Sequence, residues 1–218
     1  MGAVAEGERV DQRRARGART RQAILDRAAR LASAEGLEAV SLQRLAGELG
    51  ISKSGLFAHF GSKEELQLAT IDEAARIFTE EVLKPGLRPP AGLRRVSALC
   101  DAFLSYVERR VFPGGCFFQA ALAEFDSRPG PVHDSVLEKR RYWTESIARA
   151  VRRAQAAGEV REDVDAEQLA WELDCLLSGA NAGYTADGGR IFFERCRRAV
   201  RDRLNAAASP SARRLTSS

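Results

Sequence analysis

Apolar residues recur at helical spacing along almost the whole sequence, and no stretch alternates apolar and polar residues as a strand does. Ile24, Ala28 and Leu31, for example, stand at i, i+4 and i+7, the pattern of one buried helix face. The stretch 169–177 is apolar at almost every position, which predicts a helix that is buried on every face. The chain is therefore predicted to be all-α, with about nine helices and no internal repeat.

The composition is that of a folded protein that works in water. Hydrophobic residues make up 44% of the 218 positions and charged residues 29%, and no apolar run approaches the ~18–20 residues of a membrane span. The arginine-rich beginning contains no apolar segment typical of a secretion signal. We predict a soluble, cytoplasmic protein with no membrane partner.

The cysteines and histidines do not form a metal-binding pattern. Cys100, Cys116, Cys175 and Cys196 lie far apart without C-x-x-C spacing, and the sequence has only two histidines. We expect each cysteine to act as a small buried apolar residue. No metal site and no cofactor are predicted.

Positive charge is concentrated near the beginning of the sequence. The whole chain has a net charge of +4, yet residues 9–63 hold eleven basic and five acidic side chains, a net charge of +6. Arginine accounts for 30 of the 34 basic residues, and its planar guanidinium can bond two phosphate oxygens, although the excess can equally reflect a GC-rich coding sequence. The uneven distribution points to a nucleic-acid contact at this end.

The segment 41–60 is predicted to form two short helices joined by a turn. Ser41 is a candidate N-cap, Gly50 stops the first helix, and Ser52 caps a second helix that ends at Gly61. Such a pair matches the helix-turn-helix geometry, in which the second helix enters the major groove of DNA. Its core, shared with the preceding helix, is assigned to Ile24, Leu31, Leu45, Leu49, Leu56 and Phe60.

Two capping boxes mark the starts of longer helices. Ser62-x-x-Glu65 opens one and Asp165-x-x-Gln168 opens another. The first of these helices is expected to stop at Pro85, because proline lacks an N–H group and clashes with the preceding turn.

Four segments together carry a family resemblance. They are TRQAIL at 20–25, GLEAVSL at 36–42, LAGELGISKSGLFAHF at 45–60 and SKEEL at 62–66. In their order, spacing and residue types the sequence resembles the tetracycline-repressor (TetR) family of bacterial transcription regulators over residues 18–78. The remainder agrees with that family in length and helical character alone.

The resemblance implies a homodimeric regulator that binds a palindromic double-stranded DNA operator and is released by an apolar or amphipathic small molecule, most simply as a repressor. It implies a helix-turn-helix domain over 18–78. A ligand-binding and dimerisation domain would follow over 79–204, with the dimer formed through the last two helices. Composition adds a flexible basic arm over 1–17 and a disordered tail over 205–218.

The resemblance also transfers DNA-binding roles to particular positions. Lys53, Ser54 and Gly55 match the start of the recognition helix, His59 matches a backbone-contacting position, and Ser41, Arg44 and Lys63 match positions near phosphates. Phe57 stands where many relatives carry a tyrosine that bonds a phosphate, so we expect it to pack on a thymine methyl group or on sugar. The full predicted set is Ser41, Arg44, Ser52, Lys53, Ser54, Gly55, Phe57, Ala58, His59 and Lys63.

Several of these residues have an alternative structural explanation. Lys63 is also a first-turn lysine beside two glutamates, Gly55 also suits close helix packing, and His59 also suits a partly buried, capped ring. The basic arm is either a solvated tail or a segment that reaches the minor groove.

Aromatic residues lie between the predicted helix-turn-helix domain (18–78), called the head below, and the last two helices. They suggest a mostly apolar pocket. Its predicted lining is Phe103, Tyr106, Cys116, Phe117, Phe118, Phe125 and Trp143. The broken stretch 112–118 is expected to form one wall. The alternative for each of these residues is that it belongs to the hydrophobic core.

Three other functions were weighed against DNA binding. An enzyme is not predicted, because no phosphate-binding, dinucleotide, zinc-protease or serine-hydrolase motif is present. A redox switch would use Cys116, the best candidate for an exposed thiol, with Arg109 and Arg110 nearby in sequence. A purely structural helical module would have no need for the positive charge over residues 9–63.

Overall fold

The computed structural model describes residues 2–212, and the side chains of that range apart from residues 2–11, Arg13 and Lys53. Within that range it contains ten α-helices and no strand, which confirms the all-α prediction with one helix more than expected. The helices are α1 (Gly2–Glu35), α2 (Leu42–Leu49), α3 (Lys53–Phe57), α4 (Lys63–Phe78), α5 (Lys84–Gly86), α6 (Leu93–Glu108), α7 (Phe117–Phe125), α8 (Pro131–Ala156), α9 (Ala166–Asp187) and α10 (Ile191–Ala207). None of the described helices is long and apolar enough to cross a membrane.

The first helix is longer than the sequence suggested. It begins at Gly2, so the prediction of a flexible arm is wrong for residues 2–17, while Met1 lies outside the described residues. Alanine, arginine, glutamate and glutamine make up most of this stretch, and their high helix propensity outweighs its three glycines.

The predicted core of the helix-turn-helix is confirmed except at Leu49, which is only partly buried. Ile24 of α1, Leu45 of α2, Leu56 of α3 and the following Phe60 are fully buried and belong to one apolar cluster. α3 is shorter than predicted and ends at Phe57, because the N–H of His59 bonds the carbonyl of Leu56 and tightens the last turn.

α4 does not stop at the proline. It continues through a π-helical turn, Thr79–Leu83, into the short α5, where Pro85 occupies the first turn. The expected break at Pro85 is therefore wrong, because the backbone passes into a π-helical turn before the proline and stays helical through Gly86. Thr79 and Leu83 thereby face the interior cavity described below.

The second half of the chain is a bundle in which α9 packs against α6, α8 and α10. The prediction that α9 is buried on every face is wrong: Trp171 is 60% exposed and Cys175 is exposed as well. The neighbouring helices cover only one side of α9, and its other side faces outward in a single chain.

The stretch 205–212 is not the disordered tail that was expected. α10 continues to Ala207, whose carbonyl accepts a bond of 3.0 Å from the N–H of Arg161. Ser209 donates its N–H to the carbonyl of Glu159 at 2.8 Å, and Ala208 pairs with Val160 in an isolated bridge. Small alanines allow this close approach, and the rest of the predicted tail, 213–218, lies outside the described residues.

The end of α1 touches the loop before α7 backbone to backbone. A Cβ atom added at Gly114 would lie 1.8 Å from the carbonyl oxygen of Ser33 and 2.9 Å from the Cα of Ala34. The contact is reinforced by Arg30, which donates to the carbonyl of Val111 at 3.0 Å. Only glycine therefore fits at position 114.

We expect Gly114→Ala to lower the free energy of unfolding by about 3 kcal/mol, because the added methyl group overlaps backbone atoms that cannot turn away. The matched control is Gly47→Ala in α2, where an added Cβ meets nothing within 4 Å. That change should raise the free energy of unfolding by ~0.5–1 kcal/mol through helix propensity. Urea denaturation of both variants checks the pair, and equal effects would contradict the contact.

Candidate functional site

α3, the predicted recognition helix, begins with a serine cap and exposes its polar face. The hydroxyl of Ser52 accepts the N–H of Gly55 at 3.1 Å and lies 3.3 Å from the hydroxyl of Ser54. Ser54 and Ala58 are exposed, and Phe57 is 45% exposed, whereas Leu56 on the opposite side is buried. The backbone of Lys53 opens the helix, and its side chain lies outside the described part of the chain.

Gly55 has a local structural use as well as a predicted DNA contact. A Cβ atom at this position would lie 3.0 Å from the hydroxyl of Ser52 and 3.3 Å from Ile51. The glycine thus leaves room for the cap, in agreement with the packing alternative.

Arg44 and Ser41 are both engaged within the head. Ser41 caps α2 by accepting the N–H of Arg44 at 3.2 Å. The guanidinium of Arg44 donates to both carboxylate oxygens of Glu35, at 2.6 and 2.7 Å, and to Glu48 at 3.2 Å. The hydrogen bonds from Arg44 lower the pKa of Glu35. Arg44, which was predicted to lie near a phosphate, is thus already paired with two carboxylates in the free protein.

Lys63 and His59 also have partners inside the protein. Lys63 donates to the carboxylate of Glu38, which lowers the pKa of that carboxyl. His59 is half-buried, with its ring 6.4 Å from the ring of Phe60. Neither contact prevents Lys63 or His59 from binding a phosphate, because both side chains remain partly exposed.

The first capping box is formed in a modified way. Ser62 accepts the N–H of Glu65 at 3.0 Å, and the Glu65 carboxylate reaches back to the N–H of Gly61 at 2.8 Å. In the second, Asp165 accepts the N–H of Gln168 at 3.0 Å. The amide of Gln168 turns away to bond Glu172 at 3.0 Å, so only half of that box forms.

Ion pairs inside the head neutralise part of its charge. Four of its acidic residues bond basic residues of the same region, as the pairs Asp26–Arg30, Glu35–Arg44, Glu38–Lys63 and Glu48–Arg27. Arg14, Arg16 and Arg19 are exposed along the first half of α1. In the sequence, the positive excess is greatest over residues 12–21 of α1, which hold five arginines and no acidic residue.

One carboxylate joins the head to the bundle and was missed from the sequence. Glu124 of α7 accepts the N–H groups of Leu37 and Glu38, at 2.6 and 2.9 Å, in the loop between α1 and α2. Gly36 makes this possible with a φ of 94°, since a Cβ there would lie 2.9 Å from the Glu124 carboxylate. A glutamate in an ordinary amphipathic helix gives no local signal of such a role.

A narrow interior cavity of about 40 Å³ lies between α4, α6 and α8. Its lining is Ala75, Phe78, Thr79, Leu83, Phe103, Cys116, Phe118, Lys139, Arg140, Tyr142 and Trp143. Four residues of the predicted set line it: Phe103, Cys116, Phe118 and Trp143. The other three, Tyr106, Phe117 and Phe125, are buried in the surrounding core, as the alternative explanation held.

The cavity contains charges that the aromatic pattern did not reveal. Arg140 donates to Asp174 at 2.7 Å, and the indole N–H of Trp143 donates to the same carboxylate at 2.9 Å. Burial raises the pKa of Asp174, while Arg140 and Trp143 act in the opposite direction. These contacts fix the orientation of two lining side chains.

The thiol of Cys116 is unsuited to a redox switch. It is buried, and burial raises its pKa to about 11, so the reactive thiolate is scarce near neutral pH. Arg109 bonds Glu81 at 2.7 Å, and Arg110 bonds the hydroxyl of Tyr184 at 3.1 Å. Cys116 is buried, as expected of each cysteine, and so are Cys100 and Cys196. That expectation is wrong for Cys175, which is exposed.

Among the described residues, no group of three or more histidine, cysteine or acidic side chains is placed to hold a metal ion. The hydroxyl of Tyr106 is buried and has no hydrogen-bond partner among the described residues. Burial raises the pKa of this hydroxyl.

Family comparisons cover both halves of the chain. Residues 24–70 match the family "bacterial regulatory proteins, tetR family", and residues 92–200 match the family "tetracyclin repressor-like, C-terminal domain". The transcriptional repressor AcnR of Corynebacterium jeikeium is 30% identical over 147 residues, which cover 66% of this chain and 70% of AcnR.

Solved structures show the same fold. A TetR transcriptional regulator from Chloroflexus aurantiacus superposes with a TM-score of 0.83 at 26% identity, covering 88% of this chain and 98% of that one. AibR, solved in complex with isovaleryl coenzyme A and operator DNA, superposes with a TM-score of 0.66 at 22% identity, covering 85% and 96%.

We expect Glu124→Ala to lower the free energy of unfolding by about 1–3 kcal/mol, because two backbone N–H groups lose a charged acceptor. Glu138→Ala, on the exposed face of α8, is the control and should change it by less than ~0.5 kcal/mol. Equal denaturation midpoints for the two variants would show that the Glu124 contact contributes nothing.

Proposed function

The chain belongs to the tetR family of bacterial regulatory proteins, and from this premise we propose that it represses transcription as an operator-binding homodimer that a small apolar or amphipathic molecule releases. Its relatives are DNA-binding transcription regulators and not enzymes. The observation that carries the proposal is the exposed, serine-capped face of α3 held on a buried three-helix core. An operator-binding regulator acts where the DNA is, which in a bacterium is the cytoplasm.

On DNA, α3 would enter the major groove with its first residues against base edges. Lys53, Ser54 and Gly55 are proposed to face the bases, with Ser52 holding the start of the helix. Phe57 has an exposed aromatic edge that suits a thymine methyl group or sugar. Ala58 is small enough to let the backbone approach.

Phosphates would be bound by Ser41, Arg44, His59 and Lys63 around this helix. Arg44 and Lys63 must then exchange carboxylate partners for phosphate oxygens. This exchange costs little, because exposed ion pairs typically contribute only ~0–1 kcal/mol. The exposed arginines of α1 are proposed to add long-range attraction to the DNA.

The dimer is proposed to form through α9 and α10. Trp171, Cys175, Gly179 and Ala182 lie at i, i+4, i+8 and i+11 on α9, and all four are exposed. An apolar stripe at this spacing, on a helix covered on one side only, suits an isologous contact with its copy. We propose 18–78 as the DNA-binding unit and 79–204 as the unit for ligand and dimer.

Two helices connect the cavity to the head and support release by a ligand. α4 starts in the head at the Ser62 cap and reaches the cavity at Phe78. α7 follows the cavity residue Cys116 and carries Glu124 to the α1–α2 loop. A ligand that widens the cavity would shift both helices and so the spacing of the two heads. AibR, which has the same fold, was solved with isovaleryl coenzyme A and operator DNA, so a chain of this fold can bind both a small molecule and DNA.

We expect Lys53→Ala to weaken binding to a palindrome upstream of the protein's own gene by ~10-fold, because the change removes a proposed contact of the recognition helix with a base edge. The control is Lys84→Ala, an exposed lysine of α5 bonded to Glu80. Footprinting and fluorescence anisotropy at several salt concentrations measure both. Absence of any footprint, or equal affinities for the two variants, would contradict the proposal.

We expect Trp171→Glu to convert the dimer to monomers, because two buried carboxylates would face each other across the symmetry axis. Leu87→Glu, at a site 43% exposed outside α9, is the control and should remain a dimer. Sedimentation velocity measures the masses. A Trp171→Glu protein that still sediments as a dimer would place the interface elsewhere.

A further inference from the structure

The walls of the interior cavity have one sign of charge. Five of the eleven lining residues are aromatic, two are cationic, and none is acidic. The cations are Lys139 and Arg140, which follow each other on α8. A cavity with aromatic walls and two cations favours a ligand with an apolar body and one negative group.

The aromatic part of the cavity wall is made of rings that pack on one another. Phe103 and Trp143 are nearly parallel, with ring centroids 5.9 Å apart at an angle of 21°. Phe78 meets Trp143 edge-on at 5.3 Å and Phe118 edge-on at 5.9 Å. The ring faces and edges that line the cavity form an apolar surface, which suits an aromatic ring or a short branched chain.

Arg140 is held in place and still has donors to offer. Asp174 accepts one of its N–H groups at 2.7 Å, whereas a guanidinium has five. Asp174 lies behind the wall and is not part of the lining, so it orients Arg140 without presenting a negative charge to the ligand. Lys139 has two longer contacts with exposed carboxylates, 3.4 Å to Asp72 and 3.8 Å to Glu138.

A cationic ligand fits these walls poorly. Aromatic slots do attract quaternary ammonium groups. Here two fixed positive charges stand at the same wall, and the one nearby buried carboxylate is occupied by Arg140 and Trp143. Repulsion from Lys139 and Arg140 therefore opposes a cation.

The cavity must open to admit a ligand, since about 40 Å³ leaves room for only a few water molecules. Tyr142, the lining residue with the most exposed ring at 56%, marks the entrance. The π-helical turn Thr79–Leu83 forms the facing wall, and such turns are common at functional sites. Opening would thus displace the end of α4.

We propose that the effector is a small apolar monocarboxylate, whose aromatic or branched body lies against Phe78, Phe103 and Trp143 while its carboxylate bonds Arg140 and Lys139. This inference rests on the proposed function only in that the cavity serves as the effector site.

The test measures binding to the full-length protein by calorimetry, with phenylacetate and isovalerate as anionic probes. Phenylacetamide, neutral and of the same shape, and choline, cationic, are the comparison ligands. We expect phenylacetate or isovalerate to bind, with phenylacetate at least tenfold tighter than phenylacetamide, and choline not to bind. Equal affinities for acid and amide, tighter binding of choline, or no binding of either acid would overturn the proposal.

Variants assign the binding to the two cations. We expect two variants each to weaken phenylacetate binding at least tenfold. One is Lys139→Gln, and the other combines Arg140→Met with Asp174→Asn. The double change removes the buried charge pair without leaving an unpartnered carboxylate, and the amide oxygen introduced at position 174 remains an acceptor for Trp143. The matched control is Arg141→Gln, an exposed neighbour on α8, which should bind as the unaltered protein does.

Thermal unfolding confirms that each variant is folded before its affinity is compared. Unchanged phenylacetate binding in folded Lys139→Gln and in the folded double variant would overturn the assignment. Operator footprinting without ligand is scored separately. A protein that binds DNA but neither acid refutes the effector class alone, whereas one that binds phenylacetate but no DNA refutes the proposed function alone.

Discussion

The end of α1 is held against the helical bundle by one carboxylate and by one position without a side chain. Glu124 accepts two N–H groups of the loop that leads into α2, and Gly114 lets the two backbones meet. Because α1 also contributes Ile24 to the core under α2 and α3, this joint fixes the orientation of the recognition helix relative to the bundle. Any motion at the cavity that moves α7 must therefore reach the head or break these bonds.

The charged residues of the head serve two purposes, ion pairing within the protein and the proposed contact with DNA. A sum over residues 9–63 gives +6, but the structure shows that most acidic residues in this region are used in ion pairs that brace α1, α2 and α4. Arg44 is the clearest case, since Glu35 and Glu48 hold it where a phosphate ligand was predicted. Such surface pairs are weak and exchangeable, so one arginine can position helices in the free protein and still serve the proposed DNA contact.

The accuracy of the sequence predictions follows the range of the interactions involved. Caps such as Ser41, Ser52 and Ser62 depend on bonds three residues away and are all found. Two errors occurred where a distant segment decides: Ala207 is ordered by Arg161, and α9 is uncovered on the side of Trp171. The error over residues 2–17 differs, because there the local helix propensity was underestimated. Four of the seven residues predicted to line a pocket do line this cavity, because aromatic residues indicate an apolar interior but do not distinguish its lining from the core.

The sequence by itself determined that the chain is helical, where its capped helices begin, and that a helix-turn-helix with a buried three-helix core lies near its beginning. These features arise from local periodicity and capping, which the order of residues states directly. Only the tertiary structure decided that Lys139 and Arg140 line a cavity with aromatic walls and that Glu124 bonds the α1–α2 loop. Both features require side chains from separate helices to come into contact. The sequence of an amphipathic helix with lysines, arginines and glutamates does not indicate which of these side chains will contact another helix.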